Sequence, residues 1–216
     1  MKKTLLLFDL DGTLLDTIAD IAAALNRALA LFGYPTYSVA EVVRMLGNGT
    51  ASLLRRALPG GEEDPHYAEV LSEYKTYYAA HTADATVPYD GILPLLDRLF
   101  AAGFRMGIVS NKFDSAVKDL AERFFGERFH VAIGESKDVP RKPAPDGVRL
   151  AASMLGDAGQ DALLIGDSEV DIETARRAGI PCLSVGWGFR TPEELTAYGA
   201  DRVFATPDEL AEYLLS

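Results

Sequence analysis

The stretch Leu5–Phe8 and the acidic turn after it constrain the fold of this chain more than any other feature. Four apolar residues end at Asp9, and Asp11 and Gly12 follow two and three residues later. A short apolar run bounded by a turn signal is typical of a strand buried in a parallel sheet. In open α/β sheets the chemistry lies beyond the carboxyl ends of the strands, where Asp9 and Asp11 would stand. Because two crowded carboxylates repel each other, we expect a positive charge beside them, most simply a divalent cation with oxygen ligands.

The order of strand and helix signals divides the chain into two parts. Residues 15–83 show only the helical spacing of apolar residues, whereas strand and helix signals alternate from residue 84 onward. This alternation predicts a mostly parallel sheet with helices on both faces. We therefore expect an α/β, Rossmann-like three-layer core formed by residues 1–14 and 84–216. Residues 15–83 would form an all-helical domain inserted after the first strand.

The composition narrows the possible partners and location. The net charge of −11 argues against nucleic acid as the main partner, since phosphate backbones require basic patches. No segment approaches the roughly 20 apolar residues of a membrane span. A single cysteine, Cys182, allows no internal disulfide and suits a reducing compartment. The sequence therefore predicts a cytoplasmic protein, a monomer or homodimer, that binds neither nucleic acid nor membrane.

Polar residues follow several of the predicted strands, and in a doubly wound sheet such loops converge on one edge. They are Asp9, Asp11, Ser110, Asn111, Lys142, Asp167 and Asp171. Carboxylates suit Mg²⁺, which prefers hard oxygen ligands. A lysine, a hydroxyl and backbone amides suit a phosphoryl group. One aspartate could also attack phosphorus covalently.

These segments resemble the four motifs of the haloacid dehalogenase-like hydrolase superfamily, in the same order along the whole chain. The matching segments are Asp9-Leu10-Asp11-Gly12-Thr13, Ser110-Asn111, Lys142-Pro143 and Gly166-Asp167-Ser168-Glu169-Val170-Asp171. The helical insertion is similar to the cap domain of one large branch of that superfamily. Within that branch, Arg141-Lys142-Pro143-Ala144-Pro145-Asp146 is similar to the phosphoglycolate phosphatases.

The resemblance implies a role for each acidic residue of the first motif. Asp9 would be the nucleophile and form an aspartyl-phosphate. Asp11 would protonate the leaving oxygen and then deprotonate the water that cleaves the intermediate. Dehalogenases of the superfamily lack an acid at the position of Asp11, because a halide leaves without a proton.

The resemblance also implies two sets of ligands. The groups expected to hold Mg²⁺ are Asp9, the backbone carbonyl of Asp11, Asp167 and Asp171. Asp171 would either bind the ion directly or contact the residues that do. The groups expected to bind the phosphoryl oxygens are Ser110, Asn111, Lys142 and the amide of Gly12.

Substrate contacts from the helical domain are predicted less directly. We expect Asn48, Gly49 and Arg55 to contact the substrate, because a core that binds only phosphate leaves specificity to the lid. The alternative is that Asn48 and Gly49 form only a tight turn. Trp187, which follows a predicted strand, is expected to pack rather than to flank the entrance.

Together these features predict a Mg²⁺-dependent phosphatase of a small phosphorylated metabolite, with phosphoglycolate as the leading substrate. Other reactions of the same fold stay open: an inorganic pyrophosphatase, a sugar-phosphate phosphatase, or a mutase similar to β-phosphoglucomutase. A non-enzymatic phosphoaspartyl switch would lack the leaving-group acid and would not need a lid. Asp11 and the helical insertion therefore argue against a switch.

Overall fold

A computed structural model gives the fold of residues 4–47, 49–156 and 161–216. The chain forms two compact units. One contains the residues up to Asp16 together with Pro88–Ser216, and the other contains Thr17–Val87. The sequence predicted an inserted helical domain over residues 15–83, and its role as a cap stays a prediction.

The strands of the described residues lie in two sheets. The strands are Leu5–Phe8 (β1), Leu15–Asp16 (β2), Val87–Pro88 (β3), Arg105–Phe113 (β4), Val131–Glu135 (β5), Ala162–Gly166 (β6), Cys182–Val185 (β7) and Val203–Phe204 (β8). Six of them form one parallel sheet in the order β5-β4-β1-β6-β7-β8, and β2 pairs with β3. The predicted α/β, Rossmann-like fold is thereby confirmed. The sequence did not predict β2 or β3, because two residues are too few to show a strand period.

β1 lies in the middle of the six-stranded sheet. Leu5 is in register with Arg105 of β4 on one side and with Ala162 of β6 on the other. Leu5 and Leu7 belong to a buried cluster with Val148 and Ala151. Alternate residues of a strand point to opposite faces, and all four residues of β1 are buried. This burial on both faces explains the continuous apolar run.

Helices connect and cover the strands. In the described residues they are Ile18–Leu31 (α1), Val39–Met45 (α2), Gly49–Ala57 (α3), Tyr67–Ala80 (α4), Ile92–Ala101 (α5), Asp114–Phe125 (α6), Asp146–Met154 (α7), Glu169–Ala178 (α8), Pro192–Ala197 (α9) and Pro207–Leu215 (α10). Short 3₁₀ helices occupy Gly61–Glu63 and Gly126–Arg128. No helix among the described residues is both long and apolar enough to cross a membrane.

β4 is longer than the sequence predicted. The apolar run of residues 104–109 predicts a strand that ends at Val109, but the strand continues to Phe113. Val109 is in register with Ile133 of β5 and Phe113 with Glu135, so the register shifts between these two pairs. Such an irregularity redirects side chains. It falls on residues 110–112, which belong to the candidate site.

The unit of Thr17–Val87 has a helical core of its own. The α-helices that the structure describes in this unit pack apolar side chains together, among them Leu25, Leu29, Val42, Leu54 and Tyr74. Asp20 is buried in the first turn of α1, where its carboxylate accepts hydrogen bonds from the backbone N–H groups of Ala85 and Thr86. Residues 85 and 86 are therefore held to the first helix of the same unit.

Candidate active site

The turn after β1 places Asp9 at the carboxyl end of the central strand. The Asp9 N–H donates to the Ile165 carbonyl at 2.9 Å, which continues the pairing of β1 with β6. Gly12 has a φ of 87°, a backbone conformation that glycine adopts without a Cβ penalty. A Cβ at Gly12 would lie 2.7 Å from Asp167 Cγ and 2.7 Å from Phe189 Cδ2. Glycine is therefore required for the close approach of Asp167.

Lys142 lies between two carboxylates. Its Nζ is 2.8 Å from Asp9 Oδ1 and 2.6 Å from Asp171 Oδ1, and its side chain is 3% exposed. Asn111 fixes the backbone of this lysine: the Lys142 N–H donates to Asn111 Oδ1 at 2.6 Å, and Asn111 Nδ2 donates to the Lys142 carbonyl at 3.0 Å. The loop before α7 is thus attached to the end of β4.

Asp167 follows β6 and is held through both carboxylate oxygens. The Thr13 hydroxyl donates to Oδ1 at 3.0 Å, and the Phe189 N–H donates to Oδ2 at 2.8 Å. Asp171 is completely buried at the start of α8, where its Oδ2 accepts from the Ser168 hydroxyl at 2.7 Å. The Ser168 N–H also donates to Asp171 Oδ2, at 3.2 Å. Both carboxylates are therefore oriented by protein donors.

Burial and the neighbouring carboxylates raise the pKa of two acidic side chains of the site, Asp9 and Asp167. Burial raises the pKa of Asp9 to about 7, with Lys142 acting in the opposite direction and Asp171 adding to the rise. Burial raises the pKa of Asp167 to about 8, and the charges of Asp9 and Asp171 add to it. Burial by itself would lower the pKa of Lys142, but Asp171 and Asp9 outweigh it and the pKa is raised. The negative charge of the buried acids, when ionised, thus exceeds the positive charge that Lys142 supplies.

The same three acids fit a metal ion. One carboxylate oxygen from each of Asp9, Asp167 and Asp171 lies within 4.8 Å of the other two, and all three residues are buried. Hard divalent cations take oxygen ligands of this kind. A positive charge here would offset the burial and the mutual repulsion that raise the pKa of Asp9 and Asp167. The residues present therefore suit a divalent metal.

Asp11 has a lysine partner that sequence reasoning missed. Lys112 Nζ lies 2.8 Å from Asp11 Oδ1, and the side chains are 3% and 22% exposed respectively. The Lys112 N–H also donates to the hydroxyl of Ser110 at 3.3 Å, and Ser110 is itself buried. The sequence offered one signal for this pair, a lysine two residues after the serine of the second motif.

Two groups predicted to bind phosphoryl oxygens already form hydrogen bonds within the protein. The Gly12 N–H donates to the Leu15 carbonyl at 2.9 Å. The side-chain amide of Asn111 forms both bonds to the Lys142 backbone described above. Both groups hold loops of the site together in this structure. Phosphoryl binding by the Gly12 amide and by Asn111 stays a prediction.

Residues 186–190 after β7, here called the Trp187 loop, are a second part of the site that the sequence did not reveal. Trp187 Nε1 donates to the Thr13 carbonyl at 3.0 Å, so this residue does more than pack. The Phe189 N–H holds Asp167. Arg190 forms an ion pair with Glu169 at 3.0 Å, near the start of α8. The loop thus binds the segments after β1 and β6 together.

The residues predicted to contact substrate from the helical unit are described only in part. Gly49 is the first residue of α3 and has a φ of 78°. Arg55, near the other end of α3, is exposed, and its guanidinium donates to the Ser52 hydroxyl at 3.4 Å. Asn48 lies outside the described residues. Substrate contact by these three residues stays a prediction.

Buried aspartates and a lysine thus lie together at the carboxyl ends of the strands of a parallel sheet. The family model of haloacid dehalogenase-like hydrolases matches residues 6–185. The chain belongs to this family. Within it, the protein is a phosphatase, a phosphoric monoester hydrolase that is similar to the phosphoglycolate phosphatases.

Three similar proteins illustrate this relationship. The phosphoglycolate phosphatase of Cereibacter sphaeroides is 35% identical over 213 residues, which are 96% of this chain and 95% of that protein. The N-acetylmuramic acid 6-phosphate phosphatase of Pseudomonas aeruginosa is 33% identical over 216 residues, 99% of this chain and 96% of the relative. A crystal structure of a proposed phosphoglycolate phosphatase from Lactobacillus delbrueckii subsp. bulgaricus has a TM-score of 0.94, 34% identity and 99% coverage of both chains.

Proposed function

We propose that the protein hydrolyses a small phosphomonoester metabolite and that phosphoglycolate is the leading candidate substrate. The reaction would pass through an aspartyl-phosphate on Asp9 and use Mg²⁺ as its metal. The observation that carries this proposal is the buried Asp9 carboxylate at the end of the central strand, with Lys142 at 2.8 Å. An ammonium at this position would offset the repulsion between Asp9 and an anionic phosphoryl group. The phosphoglycolate phosphatases among the relatives support the choice of substrate.

The first step forms a bond between an Asp9 oxygen and phosphorus. The bond between phosphorus and the leaving oxygen breaks, and its electron pair stays on that oxygen. Asp11 gives this oxygen a proton, so that an alcohol leaves rather than an alkoxide. Ser110 and Lys142 would hold the phosphoryl oxygens during the transfer, since fixed positive charge and positioning supply most of the catalysis in phosphoryl transfer.

The second step returns the enzyme to its starting state. A water molecule attacks phosphorus and loses a proton to Asp11. The bond between phosphorus and Asp9 breaks, and its electron pair restores the carboxylate. The products are inorganic phosphate and a protonated Asp11, ready for the next leaving group.

Asp9, Asp167 and the backbone carbonyl of Asp11 would hold Mg²⁺, with Asp171 as a further ligand or just behind them. When bound, this ion lowers the repulsion between the carboxylates and the phosphoryl group and stabilises charge on the phosphoryl oxygens. Thr13 and the Phe189 N–H orient Asp167 for this role.

The helical unit, the oligomeric state and the location of the protein are also part of the proposal. Residues 17–87 would act as the cap that selects the organic part of the substrate, with Asn48, Gly49 and Arg55 as contact residues. We propose a cytoplasmic monomer or homodimer, because the acidic chain has a single cysteine and no disulfide. Neither nucleic acid nor membrane would be a partner.

A sugar-phosphate phosphatase is the second candidate. It is favoured by the N-acetylmuramic acid 6-phosphate phosphatase, which matches 99% of this chain at an identity close to that of the phosphoglycolate phosphatases. Both candidates use the same core chemistry and differ in the alcohol that leaves. Substrate choice is therefore the property that an experiment must decide.

Measuring kcat/KM over a panel of phosphates tests the proposal. The panel contains phosphoglycolate, N-acetylmuramic acid 6-phosphate, glucose 6-phosphate and pyrophosphate, each with Mg²⁺ and with EDTA. Phosphoglycolate is expected to give the highest kcat/KM, and EDTA should stop turnover. A higher kcat/KM for a sugar phosphate would favour the second candidate. Phosphate release that is unaffected by EDTA would refute the requirement for a divalent metal.

Asp9→Asn tests the nucleophile. Loss of the covalent step should raise the barrier by on the order of 7 kcal/mol, which abolishes measurable turnover while the fold survives. The matched control is Asp119→Asn on the exposed side of α6, which should keep wild-type rates. Near-wild-type turnover by Asp9→Asn would show that the assignment of the nucleophile is wrong.

A further inference from the structure

Lys112 is a second buried lysine next to the acidic turn, and it contacts a different aspartate from Lys142. Its Nζ is 2.8 Å from Asp11 Oδ1 and its side chain is 3% exposed. Burying an ammonium is unfavourable unless a partner of opposite charge and hydrogen bonds compensate. The position of this ammonium is therefore tightly coupled to that of the Asp11 carboxylate.

Three consecutive residues at the end of β4 reach three different parts of the site. Ser110 is buried and accepts from the Lys112 N–H, Asn111 holds the backbone of Lys142, and Lys112 reaches Asp11. In an extended segment neighbouring side chains point to opposite faces, so Ser110 and Lys112 share one side and Asn111 takes the other. The shift of register between Val109 and Phe113 coincides with this arrangement.

We propose that Lys112 is a positioning residue for Asp11 in proton transfer to the leaving oxygen. This inference rests on the proposed function, in which Asp11 is the proton donor. A carboxyl group has two oxygens and rotates about the bond to its Cβ. The ammonium of Lys112 fixes Oδ1, so that Oδ2 is the oxygen that carries the proton and faces the leaving group.

The two lysines then have separate tasks. Lys142 lies against Asp9, the proposed nucleophile, and Lys112 lies against Asp11, the proposed acid. A purely structural Lys112 would neutralise the turn and stabilise the fold without any preference for the leaving group. A positioning Lys112 matters most where the leaving oxygen needs a proton. The dependence of the rate on the leaving group therefore separates the two roles.

The test compares Lys112→Met and Lys112→Gln with the wild-type protein on two substrates. One is the alkyl phosphate that the wild type hydrolyses fastest, and the other is p-nitrophenyl phosphate, whose phenolate leaves without a proton. The value of kcat/KM reports the steps up to cleavage of the bond to the leaving oxygen. Because misplacement of a catalytic group by about 1 Å costs on the order of 10²-fold, the alkyl phosphate should lose about 30- to 100-fold. The loss for p-nitrophenyl phosphate should stay below about threefold.

The ratio of the two kcat/KM values is independent of the fraction of protein that is folded, so a partly unfolded variant still gives a valid result. In the Asp11→Asn background, a further Lys112→Met change should leave the ratio unaltered, because the group that Lys112 positions is gone. Lys118→Met is the matched control, since Lys118 is exposed on α6 and pairs with Asp114. It should leave both substrates unchanged.

Three outcomes would separately refute the positioning role of Lys112, the acid role of Asp11 and the proposed function. Equal losses on both substrates for Lys112→Met would refute the positioning role and leave the proposed function intact. Equal losses on both substrates for Asp11→Asn would refute the acid role of Asp11, and the role of Lys112 would fall with it. Turnover that survives in Asp9→Asn would refute the proposed function itself.

Discussion

Gly188→Ala is expected to damage the site from a loop that contains none of the proposed catalytic groups. Gly188 lies in the Trp187 loop, between the residue that holds Thr13 and the residue that holds Asp167. A Cβ at this position would collide with the Gly12 carbonyl oxygen, and it would lie 2.5 Å from Asp167 Cβ and 2.6 Å from Asp167 Oδ2. These neighbours are backbone and a short, buried side chain, which leaves them little room to move.

The size of the effect follows from these distances. Contacts of a real Cβ essentially never fall below 3.0 Å and ordinary ones begin at 3.4 Å. The closest contact, with the Gly12 carbonyl oxygen, therefore requires the loop to move by about 1 Å. The hydrogen bond from Phe189 to Asp167, now 2.8 Å, would then exceed the normal upper limit of about 3.2 Å. Overpacking costs about 1–3 kcal/mol, and loss of a hydrogen bond to a charged group adds about 1.5–3 kcal/mol. We expect the free energy of unfolding to fall by about 2.5–6 kcal/mol and kcat/KM to fall on the order of 10²-fold.

Urea unfolding and steady-state kinetics with Mg²⁺ measure both effects. Gly186→Ala is the matched control in the same loop, since its Cβ would meet side-chain atoms of Pro192 at 3.1 Å and Val203 at 3.2 Å. Side chains can yield by a few tenths of an ångström, so this control should lose less than about 1.5 kcal/mol and keep kcat/KM within about threefold. If Gly188→Ala matched the control in both measurements, the reasoning about the Trp187 loop would be wrong.

Two further predictions follow from the same site. The pKa values of Asp9 and Asp167, about 7 and about 8, lie above the usual value, so the folded protein holds protons that the unfolded chain has already released. Without metal its stability should therefore fall as pH rises from about 4 to 8, and Mg²⁺ should raise the Tm more at about pH 8 than at about pH 5. A rise in Tm on adding Mg²⁺ that is the same at both pH values would contradict this. Trp187→Phe removes the N–H that donates to the Thr13 carbonyl but keeps an aromatic ring, and should cost about 1 kcal/mol of stability and lower kcat/KM about tenfold. Unchanged unfolding and kinetics would show that the indole N–H has no positioning role.

Much of the core could be predicted because its signals are local. The apolar run of β1 is readable since both faces of that strand are buried. The edge of a parallel sheet then brings together residues that follow different strands, and Asp9, Lys142 and Asp171 do meet as that rule requires. The fold and the acidic cluster therefore follow from pattern and topology.

The parts that could not be predicted depend on contacts between distant segments. Lys112 follows an asparagine at the end of an apolar run, and no local pattern shows that its ammonium lies 2.8 Å from Asp11 Oδ1. Trp187 is far from Thr13 along the chain, and no local pattern shows that a carbonyl of the first turn needs a donor. The internal hydrogen bonds of Asn111 and the Gly12 amide were not foreseen for the same reason, since sequence does not show which polar groups bond to distant segments.

The central position of β1 has a consequence for how the chain is made. β1 is synthesised before every other strand of the sheet, yet its two neighbours begin at Arg105 and Ala162. Synthesis proceeds at about 5–20 residues per second, so both edges of β1 stay unpaired for on the order of ten seconds. Residues 17–87 can meanwhile form their own helical core, because their contacts are close in sequence. The strand that ends at Asp9 is therefore the segment of the nascent chain most exposed to misassociation, and substitutions that delay β6 should lower the yield of soluble protein before they lower the stability of the folded form.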